Sequence, residues 1–153
     1  FALYGDLATC RLPADAWRGL IGRLDQVRAW AEARLQRQHQ YASLLADLPL
    51  RQPLGAGTAL WRWPIYVAPD QRGDLLDHLW AAGQHTVTRW YPSLQPMARA
   101  LAPQVMTDTP QADRLAAGVI TLPLDPALPD ALIDAAATAI QDFFAHESRS
   151  LTS

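Results

Sequence analysis

From Pro13 to Leu48 apolar residues recur at helical spacing with no proline between them. Trp17, Leu20, Ile21, Leu24, Val27, Ala31 and Leu35 form one stripe, and Tyr41, Leu44, Leu45 and Leu48 renew it. Arg18, Arg23, Asp25, Arg28, Glu32, Arg34 and Arg37 fall mostly off the stripe, so the pattern predicts one long amphipathic helix. Pro13 suits its first position, where a missing N–H costs nothing, and Pro49 ends it. Gly19 and Gly22 each weaken a helix interior by about 1 kcal/mol relative to alanine. A helix of about 36 residues would run for about 54 Å. A compact domain of this chain length is about 26–30 Å across. Either the helix bends or its first half packs against something outside this chain, and the second is the expectation.

From Ala59 the period changes to two. Trp61, Trp63, Ile65 and Val67 alternate with Leu60, Arg62, Pro64 and Tyr66, which puts the two sets on opposite faces of a strand. Pro64 has no N–H to donate, so the strand belongs at an edge or carries a bulge there. Asp70 stands at the N-cap of a helix bearing Leu75, Leu76, Leu79 and Trp80, and Gly83 stands at its end. His85–Tyr91, with β-branched Val87 and Thr88 before Trp90 and Tyr91, reads as a second strand closed by Pro92. Ser93–Ala102 predicts a short helix with Leu94, Met97 and Leu101 inward, and Gln111–Ala116 one helical turn. Gly118–Leu122 is a third strand. After Pro126 and Pro129, Leu132, Ile133, Ala136, Ile140, Phe143 and Phe144 mark the apolar face of a last helix. A strand–helix–strand crossover makes the first two strands parallel, with the third antiparallel between or beside them.

The expected fold is α+β: a long N-terminal helix, then a small three-stranded mixed sheet flanked by helices. Residues 1–12 read as a connection from an upstream domain, 13–48 as the long helix, 49–147 as a small α+β domain and 148–153 as a frayed tail. Half of the 153 residues are hydrophobic and 18% are charged, enough for one real core. The net charge of −2 gives no electrostatic case for nucleic acid or an anionic membrane. No apolar run approaches the roughly 20 residues that span a bilayer. With no basic n-region in Phe1–Cys10, the expected location is cytoplasmic. Cys10 is the single cysteine, which excludes an internal disulfide. All 13 basic residues are arginine, which removes Schiff-base lysine chemistry from this chain.

Candidate chemistry is sparse. His39, His78, His85 and His146 form no metal-ligand spacing, and His39 and His78 read as residues of solvated helix faces. No glycine-rich phosphate loop or nucleophile elbow is present. Cys10 beside Arg11 reads either as a thiol of lowered pKa or as an ordinary buried cysteine. Trp61, Trp63, Trp90 and Tyr91 read either as a stacking platform for a ligand or sugar, or as cross-strand core packing. Arg89 is either a fork for a carboxylate or phosphate, or a solvated edge residue.

In order and spacing these pieces resemble the C-terminal part of the DegT-type sugar aminotransferases, pyridoxal-phosphate enzymes of fold type I. The resemblance runs through the long helix with Arg34, Arg37, Tyr41 and Leu44–Leu45, and the strand Pro64-Ile65-Tyr66-Val67. It continues through the helix from Arg72-Gly73-Asp74-Leu75-Leu76 to Gly83, then Trp90-Tyr91-Pro92, then Ile120-Thr121-Leu122-Pro123-Leu124-Asp125-Pro126 and a final amphipathic helix. It implies a chain that is inactive alone and joined to an upstream pyridoxal-phosphate-binding domain carrying the catalytic lysine. It also implies a homodimer, with substrate a keto-sugar nucleotide and no cofactor bound by this chain alone. An Asn-x-Arg element of the family, which reaches the cofactor phosphate of the partner subunit, falls on Thr9 and Arg11, with threonine replacing asparagine. Trp90 and Tyr91 fall at the substrate-facing strand end, with Trp90 replacing a histidine. No residue of this chain is expected to be catalytic or to bind metal. The rival expectation is a non-catalytic binding or dimerisation domain that uses the apolar face Trp17–Val27.

Overall fold

The computed structural model describes residues 18–19, 21–53, 57–89, 93, 95–101 and 108–150. Seven elements follow in order: α1 (Leu24–Leu44), β1 (Arg62–Tyr66), α2 (Gln71–Ala81), α3 (Gln95–Leu101), α4 (Pro110–Gly118), β2 (Val119–Pro123) and α5 (Asp130–Ser150). The class is α+β, as the patterns predict. The chain turns at Gly22 and Arg23 immediately before α1.

The sheet differs from the expected one. Its two strands, β1 and β2, are antiparallel, with Trp63 opposite Leu122 and Ile65 opposite Ile120. His85–Tyr91 does not form a third strand among the described residues; Thr88 alone makes an antiparallel bridge, to Thr121. The cause lies just upstream. Gly83 takes φ +80, and Gly83 N–H and Gln84 N–H donate back to Trp80 and Leu79, a Schellman cap. A turn follows at once, with Val87 N–H donating to the Gln84 carbonyl at 3.1 Å. That turn takes up the start of the run expected as a strand. The bridge still fixes a direction: being antiparallel to β2, the chain at Thr88 runs parallel to β1, with β2 between them.

Pro64 sits as its chemistry demands. Tyr66 exchanges both backbone bonds with Arg51, on the side of β1 away from β2. Pro64, two residues earlier, turns its donorless nitrogen to that same outer edge.

Trp63, Ile65 and Val67 enter one core with Ile120, Leu122 and Leu124. Leu75, Leu76 and Leu79 of α2 and Ile133, Ala136, Ile140, Phe143 and Phe144 of α5 cover this face. Asp70 caps α2 through Gln71 N–H at 3.1 Å. Tyr41 and Leu45 bring the C-terminal part of α1 into the same core.

The N-terminal part of α1 and the residue Ile21 before it are bare. Ile21, Leu24, Val27 and Trp30 are 62, 61, 56 and 45% exposed. Leu101 of α3, expected inward, is 78% exposed. Leu94 lies outside the described residues. α4 is nine residues long rather than a single turn.

Arg37, assigned by pattern to the polar side of α1, is buried. Its guanidinium donates to the carbonyls of Asp125 and, at 2.6 Å, Leu128, and pairs with Asp130 at 2.7 Å. It therefore ties α1 to the turn that starts α5. Position 37 is one turn before Tyr41, on the face that meets the core, and that spacing is the sequence signal for its burial. Gln38 is buried beside it, donating to the Thr58 carbonyl and accepting from Leu60 N–H at 2.7 Å.

Candidate functional site

Thr9 and Arg11, the expected cofactor-side residues, lie outside the described residues, as do Cys10, Trp90 and Tyr91. The structure does describe the two residues that flank the Trp90–Pro92 stretch. Arg89 and Ser93 both line a hollow of about 460 Å3, together with Arg72, Asp113, Ala116 and Ala117.

Three elements build this hollow. α2 supplies Arg72 from its first turn, and Arg72 Nη1 donates to the Ala116 carbonyl at 2.8 Å, near the C-terminal end of α4. The chain beyond Thr88 supplies Arg89, which is exposed. α4 supplies Asp113, whose carboxylate accepts the Ser93 hydroxyl. α4 is seated by Gly118: a Cβ there would lie 2.4 Å from the Val67 carbonyl oxygen. Without one, Val67 N–H reaches the Gly118 carbonyl at 3.1 Å. Two guanidinium groups and one carboxylate thus line one hollow beside the first turn of α2. Such an arrangement binds anions through forked, charge-assisted hydrogen bonds. Sequence reasoning found Arg89 through its place beside Trp90; Arg72 and Asp113 carried no local signal, because only the tertiary fold brings them there.

A second hollow of about 650 Å3 lies on the other side of α4, against the outer edge of β1. Arg51, Tyr66, Arg114 and Leu115 are among its walls.

Of the two readings of the tryptophans, core packing holds for Trp63, which is buried and donates through Nε1 to Gln52 at 3.1 Å, whereas Trp61 is exposed. His39 is exposed, as expected, but His78 is half-buried, its ring 5.7 Å from that of Phe143. Among the described residues no three His, Cys, Asp or Glu side chains gather as metal ligands. No helix among them is long and apolar enough to cross a membrane. Arg62 is structural: its Nε donates to Thr121 Oγ1 at 2.9 Å, and its Nη2 to the carbonyls of Thr86 and Thr121. Tyr41 is fully buried, and burial pushes its hydroxyl pKa well above the usual tyrosine value.

The model of the DegT/DnrJ/EryC1/StrS aminotransferase family matches residues 19–141. Among solved structures, the chain is similar to S. venezuelae DesV, solved in complex with a ketimine intermediate. There the identity is 25% and the TM-score 0.71, over 81% of this chain and 34% of that one. It is also similar to the sugar aminotransferase CalS13 from Micromonospora echinospora, at 21% identity and TM-score 0.68, over 80% of this chain and 33% of that one. The aminotransferase TlmJ from Streptoalloteichus hindustanus is similar at 23% identity and TM-score 0.63, with the same coverage of 80% and 33%. The chain thus spans about a third of the length of the structures it matches. No curated protein sequence matches it.

Proposed function

The chain belongs to the DegT/DnrJ/EryC1/StrS aminotransferase family, and from that premise we propose that it is the small C-terminal domain of a pyridoxal-phosphate-dependent sugar aminotransferase. The family match over residues 19–141 is the observation that carries this reading. The reaction is transfer of an amino group from an amino acid such as glutamate to a keto-sugar nucleotide. The residues here do not fit the cofactor by themselves. Pyridoxal phosphate chemistry in this family needs a lysine amine, and the sequence has none. The lysine then comes from an upstream domain, and this domain closes one side of the site and supports a homodimer in the cytoplasm. From their match to the family pattern we assign Arg11 and Thr9 to the cofactor phosphate of the partner subunit, and Trp90 and Tyr91 to the substrate.

The exposed Ile21, Leu24, Val27 and Trp30 favour a second reading, a non-catalytic dimerisation or binding domain. Intact mass of the natural protein, captured from its source with an antibody to this chain, separates the two. A species of about 40 kDa, two to three domains by length, supports the aminotransferase. A species of the 16.9 kDa of this chain overturns it in favour of the binding domain.

A further inference from the structure

We propose that the hollow of about 650 Å3 between α4 and the outer edge of β1 binds a small organic carboxylate whose anionic group is carried on an apolar or aromatic body, an inference that does not rest on the aminotransferase reading. Three pieces of chain wall it: residues 49–52 after α1, residues 66–69 at the end of β1, and α4. They are pinned together before any ligand arrives. Arg51 and Tyr66 exchange two backbone hydrogen bonds of 2.8 Å, and Val67 N–H reaches the Gly118 carbonyl at 3.1 Å. A frame held in this way leaves little for a ligand to order on binding.

The charge in this hollow is of one sign. Arg51 lies on one wall and Arg114 on another, both exposed, and neither side chain makes a hydrogen bond or ion pair to a described residue. None of the described residues that line the hollow is acidic, whereas Asp113 offsets the arginines of the hollow on the far side of α4. Asp70, which follows Pro69, is committed to Gln71 N–H. The amide of Gln52 is committed at both ends, donating to the Ala42 carbonyl and accepting from Trp63 Nε1. The two guanidinium groups are therefore the ones left to recognise a ligand, and their forked N–H groups match a carboxylate. Leu50, Pro69 and Leu115 make the other walls apolar, and Tyr66 adds an aromatic one. Leu115 is 53% exposed, so this surface is open to be covered. A bare inorganic anion would leave it uncovered; a carboxylate on a hydrocarbon or aromatic frame covers it. Largely apolar walls with a few placed polar groups, in a volume of this size, are the form of a small-molecule site.

The test is an amide NMR titration of the 153-residue chain with phenylpropionate, its neutral amide phenylpropionamide, acetate and inorganic phosphate in turn. Phenylpropionate is expected to shift the amides of Arg51, Tyr66 and Leu115. The other three each lack either the charge or the apolar body, and each should bind about tenfold more weakly. Arg51→Gln and Arg114→Gln should each weaken phenylpropionate binding about tenfold, the loss of one charged hydrogen bond. Arg28→Gln, at an exposed position of α1, should leave it unchanged. Amides that do not move, or binding that survives both arginine substitutions, would overturn the site. Equal binding of phenylpropionamide would remove the arginines from it, and equal binding of phosphate would remove the apolar walls; either result overturns the proposal. The ligand series uses the unsubstituted chain, so it decides the matter even where a variant fails to fold.

Discussion

Tyr41 shows how one buried atom sets a pH dependence. Its hydroxyl has no hydrogen-bond partner among the described residues, and burial raises its pKa above the ordinary tyrosine value of about 10. The folded state therefore holds this proton to higher pH than the unfolded chain does. The resulting stability is fully present below about pH 10 and is lost as pH rises from there toward the folded-state value. Urea unfolding followed across pH 8–11 should show stability falling above about pH 10, by up to about 1.4 kcal/mol per pH unit from this group. Tyr41→Phe should remove that component and cost little at pH 7, since no described bond is lost; an unchanged alkaline slope in the variant would refute the assignment. Glycines give a second residue-scale contrast. At Gly118 a methyl group meets the Val67 carbonyl at 2.4 Å, and backbone on both sides must shift. Gly118→Ala should destabilise the fold by about 1–3 kcal/mol. Gly73, in the first turn of α2, has nothing within 4 Å of its would-be Cβ. Gly73→Ala should stabilise by about 0.4–1 kcal/mol, because it restricts the unfolded chain. Urea midpoints for the two variants should move in opposite directions.

At the scale of elements, α1 is divided by its surroundings. Tyr41 and Leu45 are fully buried, whereas Leu24 and Val27 are 61 and 56% exposed on the same helix. The exposed part should drive self-association of the chain. Leu24→Gln combined with Val27→Gln should convert a dimer to a monomer in sedimentation, while monomer stability stays within about 0.5 kcal/mol because nothing of the described body is uncovered. A wild-type chain that stays monomeric at high concentration would remove the basis of this prediction. The same helix shows what was legible in the sequence. Periodicity located α1, α2 and α5, because each buries one face and so carries the 3.6-residue repeat. The caps at Asp70 and Gly83 were legible because capping is local chemistry. The expected second strand, His85–Tyr91, was misread because β propensity at Val87–Thr88 is also local, while the turn from Gln84 to Val87 takes up its start. Arg37 was misread because its compensation by Asp125, Leu128 and Asp130 comes from the other end of the chain. The hollow shared by Arg72, Arg89 and Asp113 was invisible for the same reason: the distance between those residues in sequence hides their convergence.

At the scale of the whole molecule, the question is where an amine for carbonyl chemistry comes from. All 13 basic residues are arginine. A guanidinium stays protonated and cannot replace a lysine amine as a nucleophile toward a cofactor aldehyde. On the proposed reading, the fold contributes walls, charges and an apolar helix face to a site whose covalent chemistry is carried by another domain. The chain spans about a third of the solved aminotransferases it is similar to, which leaves ample length for a lysine-bearing domain in a parent of their size. The purified 153-residue chain, given pyridoxal phosphate, glutamate and a keto-sugar nucleotide, should form no 2-oxoglutarate above the rate of the cofactor in buffer. The same assay on the natural protein should show turnover. Turnover by the isolated chain would mean that it reaches the chemistry without a lysine, and the assignment of the covalent step to another domain would fall.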